Sequence, residues 1–291
     1  MELTEIAPET GCFYVWHPMF PPERCAEVLA DARAFFALPH SVKQSLSIEG
    51  SPHFRGYSEM RNERDWREQI HFGREELASD GLRGPNLWPP DPHWRERILK
   101  LITDLELAGR EILDALAHKF ALPKLMGEDE APYLLLKMIH YQPPNAGVPR
   151  SGVAPHVDFS WITLLIQDDT GGLEIRALNG SWIRVPQVPG ALVVNVGEIL
   201  EFASRGHYRA TPHRVVNRSR TQSRVSLPFF LNPSLDKRVK PAAIDLAPGR
   251  QTDTDHVHRV FPTTRDEPFL FGEQEWRRKG LGIWCAECVG G

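Results

Sequence analysis

The sequence lacks the long apolar run that a membrane-spanning helix needs. No stretch of its 291 residues approaches the roughly eighteen consecutive apolar residues of such a helix. The first ten residues, MELTEIAPET, contain glutamates where a signal peptide has a basic start and an apolar segment. Both absences predict a cytoplasmic protein that does not associate with a membrane.

An excess of basic charge is also missing. The chain has 34 Lys and Arg against 38 Asp and Glu, a formal net charge of −4 and a pI near 6.3. A nucleic-acid-binding domain normally carries a basic face or stripe. We therefore expect a small molecule, and no nucleic acid, as the partner; the sequence does not indicate the oligomeric state.

Cysteine is scarce, with four residues in the whole chain. So few thiols in a large chain do not build a disulfide framework. The pair Cys285 and Cys288 has the spacing of half a zinc site or of a redox pair, but no second pair follows at zinc-ribbon spacing, so its role stays open. Repeats of solenoid or propeller period are missing too. These absences predict a single domain over 1–291.

The content of hydrophobic residues, 41%, is typical of a globular protein. Residues 1–130 are predicted to form a helical N-terminal part, with a strand at GCFYVWH, a helix after Pro22 and a longer helix from Asp91 and Pro92, a capping acid before a proline at the first helical position. Residues 47–75 show no sustained periodicity, which predicts a long loop.

From Tyr133 the pattern changes to short strands separated by turn residues. Segments such as YLLLKMIHY, WITLLIQ, ALVVNV and RVSLPFFL follow one another at roughly ten-residue spacing. This pattern favours an antiparallel sandwich or barrel. The predicted fold is mainly β with flanking helices, with a core over 131–235 and a C-terminal extension over 236–291.

Three residues form a candidate metal site. His156 and Asp158 are two apart on a predicted strand, so both side chains would leave the same face. His213 stands at the start of another predicted strand. Two imidazoles and one carboxylate on one side of an ion leave adjacent coordination positions open. A His-x-Asp pair also occurs without any metal, and these three residues alone allow zinc as well as iron.

Arg224 and Ser226 are again two apart on a predicted strand, in SRVSLPFF. An arginine inside an apolar strand needs an anionic partner, and its planar fork suits a carboxylate, to which a hydroxyl adds a third hydrogen bond. A dicarboxylate cosubstrate would provide that partner. An internal salt bridge to Glu174 or Glu198 is the alternative.

Together these motifs resemble the iron(II) and 2-oxoglutarate dioxygenases of the isopenicillin N synthase-like branch. The similar segments are GCFYVWHPMFPPERC, RGY, HVDFSWITLLIQDDTGGLEI, SWIRVPQVPGALVVNVGEILEFAS, TPHRVVN and RVSLPFFLNP, in the family's order. The resemblance implies a double-stranded β-helix core, a jelly-roll of cupin-like type. It implies that His156, Asp158 and His213 bind iron and that Arg224, Ser226 and Tyr141 bind 2-oxoglutarate. The chain departs from many plant members at Ile139, where they have asparagine.

The resemblance also implies the reaction. Fe(II), 2-oxoglutarate and O₂ would together oxidise an unactivated C–H bond of a small molecule, with succinate and CO₂ as co-products. Hydroxylation is the expected outcome, and desaturation or cyclisation would share its first steps. Asp158 argues against halogenation, because halogenating relatives replace this carboxylate with a small residue.

Substrate contacts are expected in the loop before the long helix and at the end of the Arg-x-Ser strand. The candidates are Arg55, Tyr57, Gln69, His71, Lys137, Phe230 and Asn232. Their positive charges would suit an acidic or amino-acid-like substrate, beside an apolar wall. A second histidine pair, His256 and His258, is interpreted as part of a polar connection without a third metal ligand.

Two other functions fit parts of the pattern. An iron oxidase of the same family would use O₂ without 2-oxoglutarate, and stoichiometric succinate release would separate the two enzymes. A catalytically silent β-barrel could bind a ligand or a metal. A silent protein, however, has no need for all three candidate metal ligands together with Arg224 and Ser226.

Overall fold

The computed structural model describes the backbone of residues 2–7 and residues 10–77, 81–143, 150–219, 221–243, 260 and 267–280. Its helices are α1 (Pro22–Phe36), α2 (His40–Gln44), α3 (Pro92–Lys119), α4 (Glu198–Ala203) and α5 (Phe271–Arg278), with a 3₁₀ turn at Ile48–Gly50. Its strands are β1 (Glu2–Ala7), β2 (Cys12–Trp16), β3 (Gly56–Arg61), β4 (Trp66–Phe72), β5 (Leu134–Tyr141), β6 (Arg150–His156), β7 (Ile162–Gln167), β8 (Leu173–Arg176), β9 (Trp182–Arg184), β10 (Ala191–Val196), β11 (His213–Asn217), β12 (Arg224–Leu231), β13 (Arg238–Val239) and β14 (Phe269–Leu270).

Two antiparallel sheets form the core of the molecule. The larger sheet has eight strands in the order β1-β2-β10-β7-β12-β5-β4-β3, and the smaller has four in the order β6-β11-β8-β9. Side chains from β2, β5, β7 and β10 pack against side chains from β8 and β11 in one buried cluster, so the two sheets lie face to face. This arrangement confirms the predicted jelly-roll core.

The large sheet is covered on its other face by helices. Along β12, Val225, Leu227 and Phe229 are buried in the cluster that also holds the apolar faces of α1 and α3. The alternate residues of β12 therefore face the small sheet, because side chains alternate across a strand. The three layers explain why the sheet residues are apolar towards the helices and partly polar towards the interior of the sandwich.

The long helix begins where the sequence predicts it. Asp91 is the N-cap of α3, where its side chain accepts a hydrogen bond from the backbone N–H of His93 at 2.9 Å. Pro92 occupies the first helical position, where its missing N–H costs nothing. Along the helix one face is buried, including Ile98, Leu105 and Ile112.

The predicted loop over 47–75 is wrong, because β3 and β4 form a hairpin there that joins the edge of the large sheet. β4 lacks the alternation of apolar and polar residues that usually marks a strand in a sequence. Ile70 and Phe72 are buried among apolar side chains, but Glu68 on the same face is also buried, and Gln69 and His71 are buried on the opposite face. A strand with buried polar residues on both faces does not show the usual period.

The chain also has a strand before the GCFYVWH segment, since β1 pairs with β2. Among the described helices, none has the length and apolar content that a membrane-spanning segment needs. His256, His258, Cys285 and Cys288 lie outside the described residues.

Candidate active site

The three candidate metal ligands meet at one end of the small sheet. His156 is the last residue of β6, His213 is the first residue of β11, and the two are direct partners in the antiparallel register. Asp158 does not lie on the strand as predicted, because β6 ends at His156. Beyond that end the chain turns, with the Glu198 N–H donating to the Asp158 carbonyl at 2.8 Å.

The ligand atoms of these three side chains lie within 4.8 Å of one another. The distance from Asp158 Oδ1 is 3.6 Å to His156 Nε2 and 3.7 Å to His213 Nε2. Each imidazole donates its Nδ1–H to a backbone carbonyl, His156 to Ala154 at 2.9 Å and His213 to Thr211 at 2.8 Å. These bonds leave the Nε2 lone pairs directed at a common point, as a metal ligand requires.

The electrostatics keep His156 and Asp158 in the states that bind a cation. Burial, together with the neighbouring His213, lowers the pKa of His156 to about 3, so the imidazole is neutral. Burial alone would raise the pKa of Asp158, but the two imidazoles outweigh it and the net shift is downward. Within the described residues, Asp158 Oδ2 is buried and has no hydrogen-bond partner. A buried carboxylate oxygen without a hydrogen-bond partner is suited to binding a cation.

Arg224, Ser226 and Tyr141 lie across the sandwich from the metal ligands, on the large sheet. Arg224 and Tyr141 are direct partners of β12 and β5, and the guanidinium lies over the tyrosine ring, 5.1 Å from its centroid. Arg224 is 1% exposed. A guanidinium so far from water needs an anion or several acceptors.

The structure gives Arg224 no carboxylate among the described residues. Its Nη2 donates to Gln167 Oε1 at 2.8 Å, whereas its Nε and Nη1 are buried and have no hydrogen-bond partner. The two acids considered as alternatives have other partners: Glu174 pairs with Arg214 at 2.8 Å, and Glu198 accepts from the backbone of Val260 at 2.9 Å. The internal salt bridge is therefore wrong, and the unsatisfied fork fits the carboxylate of a ligand.

One cavity of about 340 Å³ connects the two groups of residues. The metal ligands, Arg224, Ser226 and Tyr141 all line it. Its volume is in the range of small-molecule sites. Of the predicted substrate contacts, Lys137, Phe230 and Asn232 also line this cavity.

The other four predicted contacts do not line this cavity. Arg55 is buried and donates to the His53 carbonyl at 3.2 Å, and Tyr57 donates to Glu68 Oε2 at 2.7 Å on the helix side of the sheet. The Gln69 amide donates to Ser58 at 3.2 Å. His71 is 6% exposed, and neither of its ring nitrogens has a partner in the described part of the chain.

Several polar residues of the cavity wall were not predicted from the sequence. Arg67 comes from β4, while Glu275 and Arg278 come from α5, and Lys279 follows that helix. α5 lies in the segment that the sequence marks only as a C-terminal extension, and no motif there indicates a site. The run of charges in GEQEWRRK is typical of a solvated helix, so the sequence alone carries no signal for its position over the cavity.

Two family models match the chain. The 2OG-Fe(II) oxygenase superfamily matches residues 133–233, which hold all the candidate ligands. The model described as non-haem dioxygenase in morphine synthesis N-terminal matches residues 1–91. Together they cover both the core strands and the N-terminal elements that flank them.

Relatives and solved structures agree with the family models. The chain is 33% identical to Kihadalactone A synthase LFS of Citrus sinensis over 80% of this chain and 77% of the relative. It is 31% identical to Homoarginine-6-hydroxylase 2-ODD-C23 of Glycine max, over 82% of this chain and 79% of the relative. A solved structure of a putative 2OG-Fe(II) oxygenase family protein from Caulobacter crescentus is 26% identical with a TM-score of 0.76, covering 94% of this chain and 90% of that one. With its His-Asp-His cluster, and with an arginine in the same cavity that has no carboxylate partner among the described residues, the chain belongs to the 2OG-Fe(II) oxygenase superfamily and is a dioxygenase that uses Fe(II), 2-oxoglutarate and O₂.

Proposed function

We propose that this dioxygenase hydroxylates an acidic small molecule inside the cavity between its two sheets. The observation that carries the proposal is the pair of buried, unsatisfied nitrogens of Arg224 in the same cavity as the unsatisfied oxygen of Asp158. The arginine nitrogens need an anionic partner, and the aspartate oxygen needs a cation. A dicarboxylate bridging the arginine and the metal would satisfy both.

Each residue has a role in this proposal. His156, Asp158 and His213 would hold the iron, and the Nδ1–H bonds would fix the two imidazole planes. Arg224 would bind the distal carboxylate of 2-oxoglutarate in two-point contact, with hydroxyl donors from Ser226 and Tyr141 beside it. Bound together, iron, 2-oxoglutarate and O₂ supply the oxidation of an unactivated C–H bond.

The surroundings of Arg224 support its proposed role. Arg224 lies at the start of β12, and its guanidinium is screened from water by Tyr141 and Gln167. A carboxylate there would pair with the arginine in a low-dielectric environment, where the interaction is stronger than in water. Leu165, Val215 and Leu173 line the same part of the cavity, so they would exclude water from the cosubstrate.

The acidic substrate class is proposed from this chain's own side chains. The relatives' names refer to a kihadalactone and to homoarginine, which share no chemical class that would carry over. In this chain, Lys137 lines the cavity beside Phe230, and its amine lies 5.1 Å from the centre of that ring. A positive charge next to an apolar wall suits an acid with an apolar body.

The test is a turnover experiment with Fe(II), 2-oxoglutarate and O₂, in which succinate, CO₂ and remaining O₂ are measured. The proposal expects succinate to form only when all three are present and to be accelerated by a true substrate with a one-to-one ratio of succinate to hydroxylated product. Oxidation of a substrate without any succinate would instead indicate an iron oxidase that does not use 2-oxoglutarate. Retention of turnover in His213→Ala would also contradict the proposal.

A further inference from the structure

Four cationic side chains from distant parts of the chain line the cavity, and three of them are near enough to the fourth, Lys137, to lower its pKa. Arg67 comes from β4, Lys137 from β5, and Arg278 and Lys279 from the end of α5 and the residue after it. Three acids, Asp65, Asp158 and Glu275, line the same cavity. We call these four cationic side chains the basic rim.

Three members of the basic rim form ion pairs. Arg278 pairs with Glu275 at 2.7 Å and Lys279 with the same carboxylate at 3.9 Å. Arg67 lies 3.4 Å from Asp65, but its Nε is buried and has no hydrogen-bond partner among the described residues. A single carboxylate shared by two cations leaves positive charge uncompensated at the rim.

Lys137 has no acidic partner within ion-pair distance in the described ranges. Its direct partner on β4 is His71. The only hydrogen-bond acceptor in that side chain is a ring nitrogen, and the side chain is buried. Burial and the nearby Arg67 and Lys279 lower the pKa of Lys137 to about 7. The amine thus lies among cations that the Asp158 carboxylate offsets only in part, which is unfavourable for its charged form. A ligand that brings a negative charge would relieve it.

The position of Lys137 separates it from the cosubstrate residues. It lies four residues along β5 from Tyr141, which corresponds to roughly 13 Å at the rise of a β-strand. Arg224 is the direct partner of Tyr141, so Lys137 and Arg224 stand at different places along the sheet. The metal ligands on the small sheet face the same cavity. The cavity thus has separate cationic positions for two anions.

We propose that the substrate is a carboxylic acid whose carboxylate binds Lys137 Nζ, with Arg67 and Lys279 of the basic rim beside it. This inference rests on the proposed function and names the substrate class of that same site. The apolar body of the acid lies along Phe230 and Phe159, and Phe159 is next in the chain to Asp158. α5 is therefore a substrate-recognition element and not only a packing helix.

The packing of α5 fits this role. Phe271 is fully buried, and its ring stacks on that of Phe159 with centroids 5.7 Å apart. Arg278 is the last residue of the same helix, and its guanidinium lies 4.9 Å from the centre of the Phe159 ring. The helix is thereby fixed at both ends against the residue that follows the metal ligand Asp158, which positions Lys279 at the cavity.

The test measures direct binding to the full-length protein loaded with Fe(II) and 2-oxoglutarate in the absence of O₂. The probes are 3-phenylpropanoate, 4-phenylbutanoate and octanoate, each compared with its own primary amide by titration calorimetry. We expect at least one acid to bind about tenfold or more tightly than its amide, because a charge-assisted hydrogen bond is lost in the amide. If no acid binds more tightly than its amide, the proposal is wrong.

Two variants locate the effect. Lys137→Met and Lys279→Met should each reduce acid binding and leave amide binding unchanged, whereas Lys124→Met, an exposed lysine paired with Glu128 at 2.8 Å, should change neither. The melting temperature of Lys137→Met should equal or exceed that of the wild type, since the variant removes an unpaired charge. A purely structural lysine would lower it. Unchanged acid binding in both variants would overturn the proposal.

The outcome is separable from that of the proposed function. The charge-transfer band of the Fe(II)-2-oxoglutarate complex reports on the metal ligands and Arg224, and Lys137→Met should leave it unaltered. Loss of that band in the wild type would contradict the proposed function itself. A normal band without any preference for acids would contradict the acidic substrate class and leave the iron and 2-oxoglutarate sites of the proposed function standing.

Discussion

At the scale of single residues, the most informative feature is an arginine with no acid. Arg224 is buried between Tyr141 and Gln167, and two of its three guanidinium nitrogens lack an acceptor in the described structure. The protein retains this costly arrangement at the cavity that holds the metal ligands. An Arg-x-Ser pair on an apolar strand pointed to this residue, and only the three-dimensional structure could show that neither Glu174 nor Glu198 pairs with it. Its contact with a cosubstrate carboxylate stays a prediction.

Replacing this side chain should affect the cosubstrate more than the metal. Arg224→Ala should raise the KM for 2-oxoglutarate by about a hundredfold, because removing one partner of a buried charged pair costs about 3 kcal/mol. Arg224→Lys should recover only part of that loss, since an ammonium cannot form the two-point contact. The measurement is succinate release as a function of 2-oxoglutarate concentration.

The matched control is Arg97→Ala, which removes an exposed arginine paired with Asp31 at 2.8 Å. Its KM for 2-oxoglutarate should equal that of the wild type. An unchanged KM in Arg224→Ala would contradict the assignment of this residue.

At the scale of elements, the β3-β4 hairpin shows why part of the fold was not predicted. Glu68 of β4 is buried on the helix side, where it accepts from Lys43 at 2.6 Å and from Tyr57 at 2.7 Å and contacts His140 Nδ1 at 2.7 Å. In the sequence, this glutamate looks like a polar loop residue, because its burial and its three partners are visible only in the structure. By contrast, α3 and β12 were predictable because a cap, a proline or a clear alternation of apolar residues marks each of them.

This cluster should make the hairpin sensitive to acid. Burial alone would raise the pKa of Glu68, but hydrogen bonds from His140, Lys43 and Tyr57 lower it to about 2. Because the folded-state pKa lies below the unfolded one, the stabilisation is complete above about pH 4.5 and is lost as the pH falls towards 2. Between pH 6 and pH 3 the free energy of unfolding should fall by about 2 kcal/mol from this group.

Urea unfolding of the wild type and of Glu68→Gln at both pH values measures the effect. The variant should be less stable at pH 6, and its loss between pH 6 and pH 3 should be smaller than that of the wild type by about 2 kcal/mol. Equal losses in the two proteins would show that Glu68 is not held by these partners.

α5 allows a second prediction at the element scale. Phe271 is fully buried against Phe159 and Tyr133. Phe271→Ala should lower the free energy of unfolding by about 3 kcal/mol or more, as expected for a large aromatic removed from a core. It should also weaken the binding of the carboxylate probes, because Arg278 and Lys279 would lose their position.

The exposed Leu107 of α3 offers a control, since Leu107→Ala removes no buried side chain. Thermal and urea unfolding of both variants measures the difference. A Phe271→Ala protein that is as stable as Leu107→Ala would contradict the packing of α5 described above.

At the scale of the whole molecule, the fold brings together residues that are far apart in sequence. The jelly-roll and the meeting of His156, Asp158 and His213 were predictable because each carries a local motif at a fixed spacing, whereas the roles of these residues stay predictions. Part of the cavity wall was not, since Arg67 and Lys279 come together there only after the β3-β4 hairpin and α5 have packed beside the site. Substrate recognition depends on tertiary contacts that no local pattern reports.

Cosubstrate and metal should stabilise the entire fold, because they bind the native state and their proposed contacts come from four strands, β5, β6, β11 and β12, and from Asp158 beyond β6. At a hundred times the dissociation constant, Mn(II) with 2-oxoglutarate should add about 2.7 kcal/mol to the free energy of unfolding. Thermal melts with and without these ligands measure the shift, and EDTA should reverse it. The same additions to His213→Ala should leave the melting temperature unchanged.

The central claim is that His156, Asp158 and His213 bind Fe(II) to which 2-oxoglutarate, held by Arg224, then coordinates. The most direct measurement is anaerobic titration of the protein with Fe(II) and 2-oxoglutarate, monitored by the weak visible metal-to-ligand charge-transfer band of the chelate. We predict one iron and one 2-oxoglutarate per chain in the wild type, no band in His213→Ala, and a band in Arg224→Ala only at much higher 2-oxoglutarate. A wild-type protein that gives no band, or a band of full intensity in His213→Ala, would contradict the account.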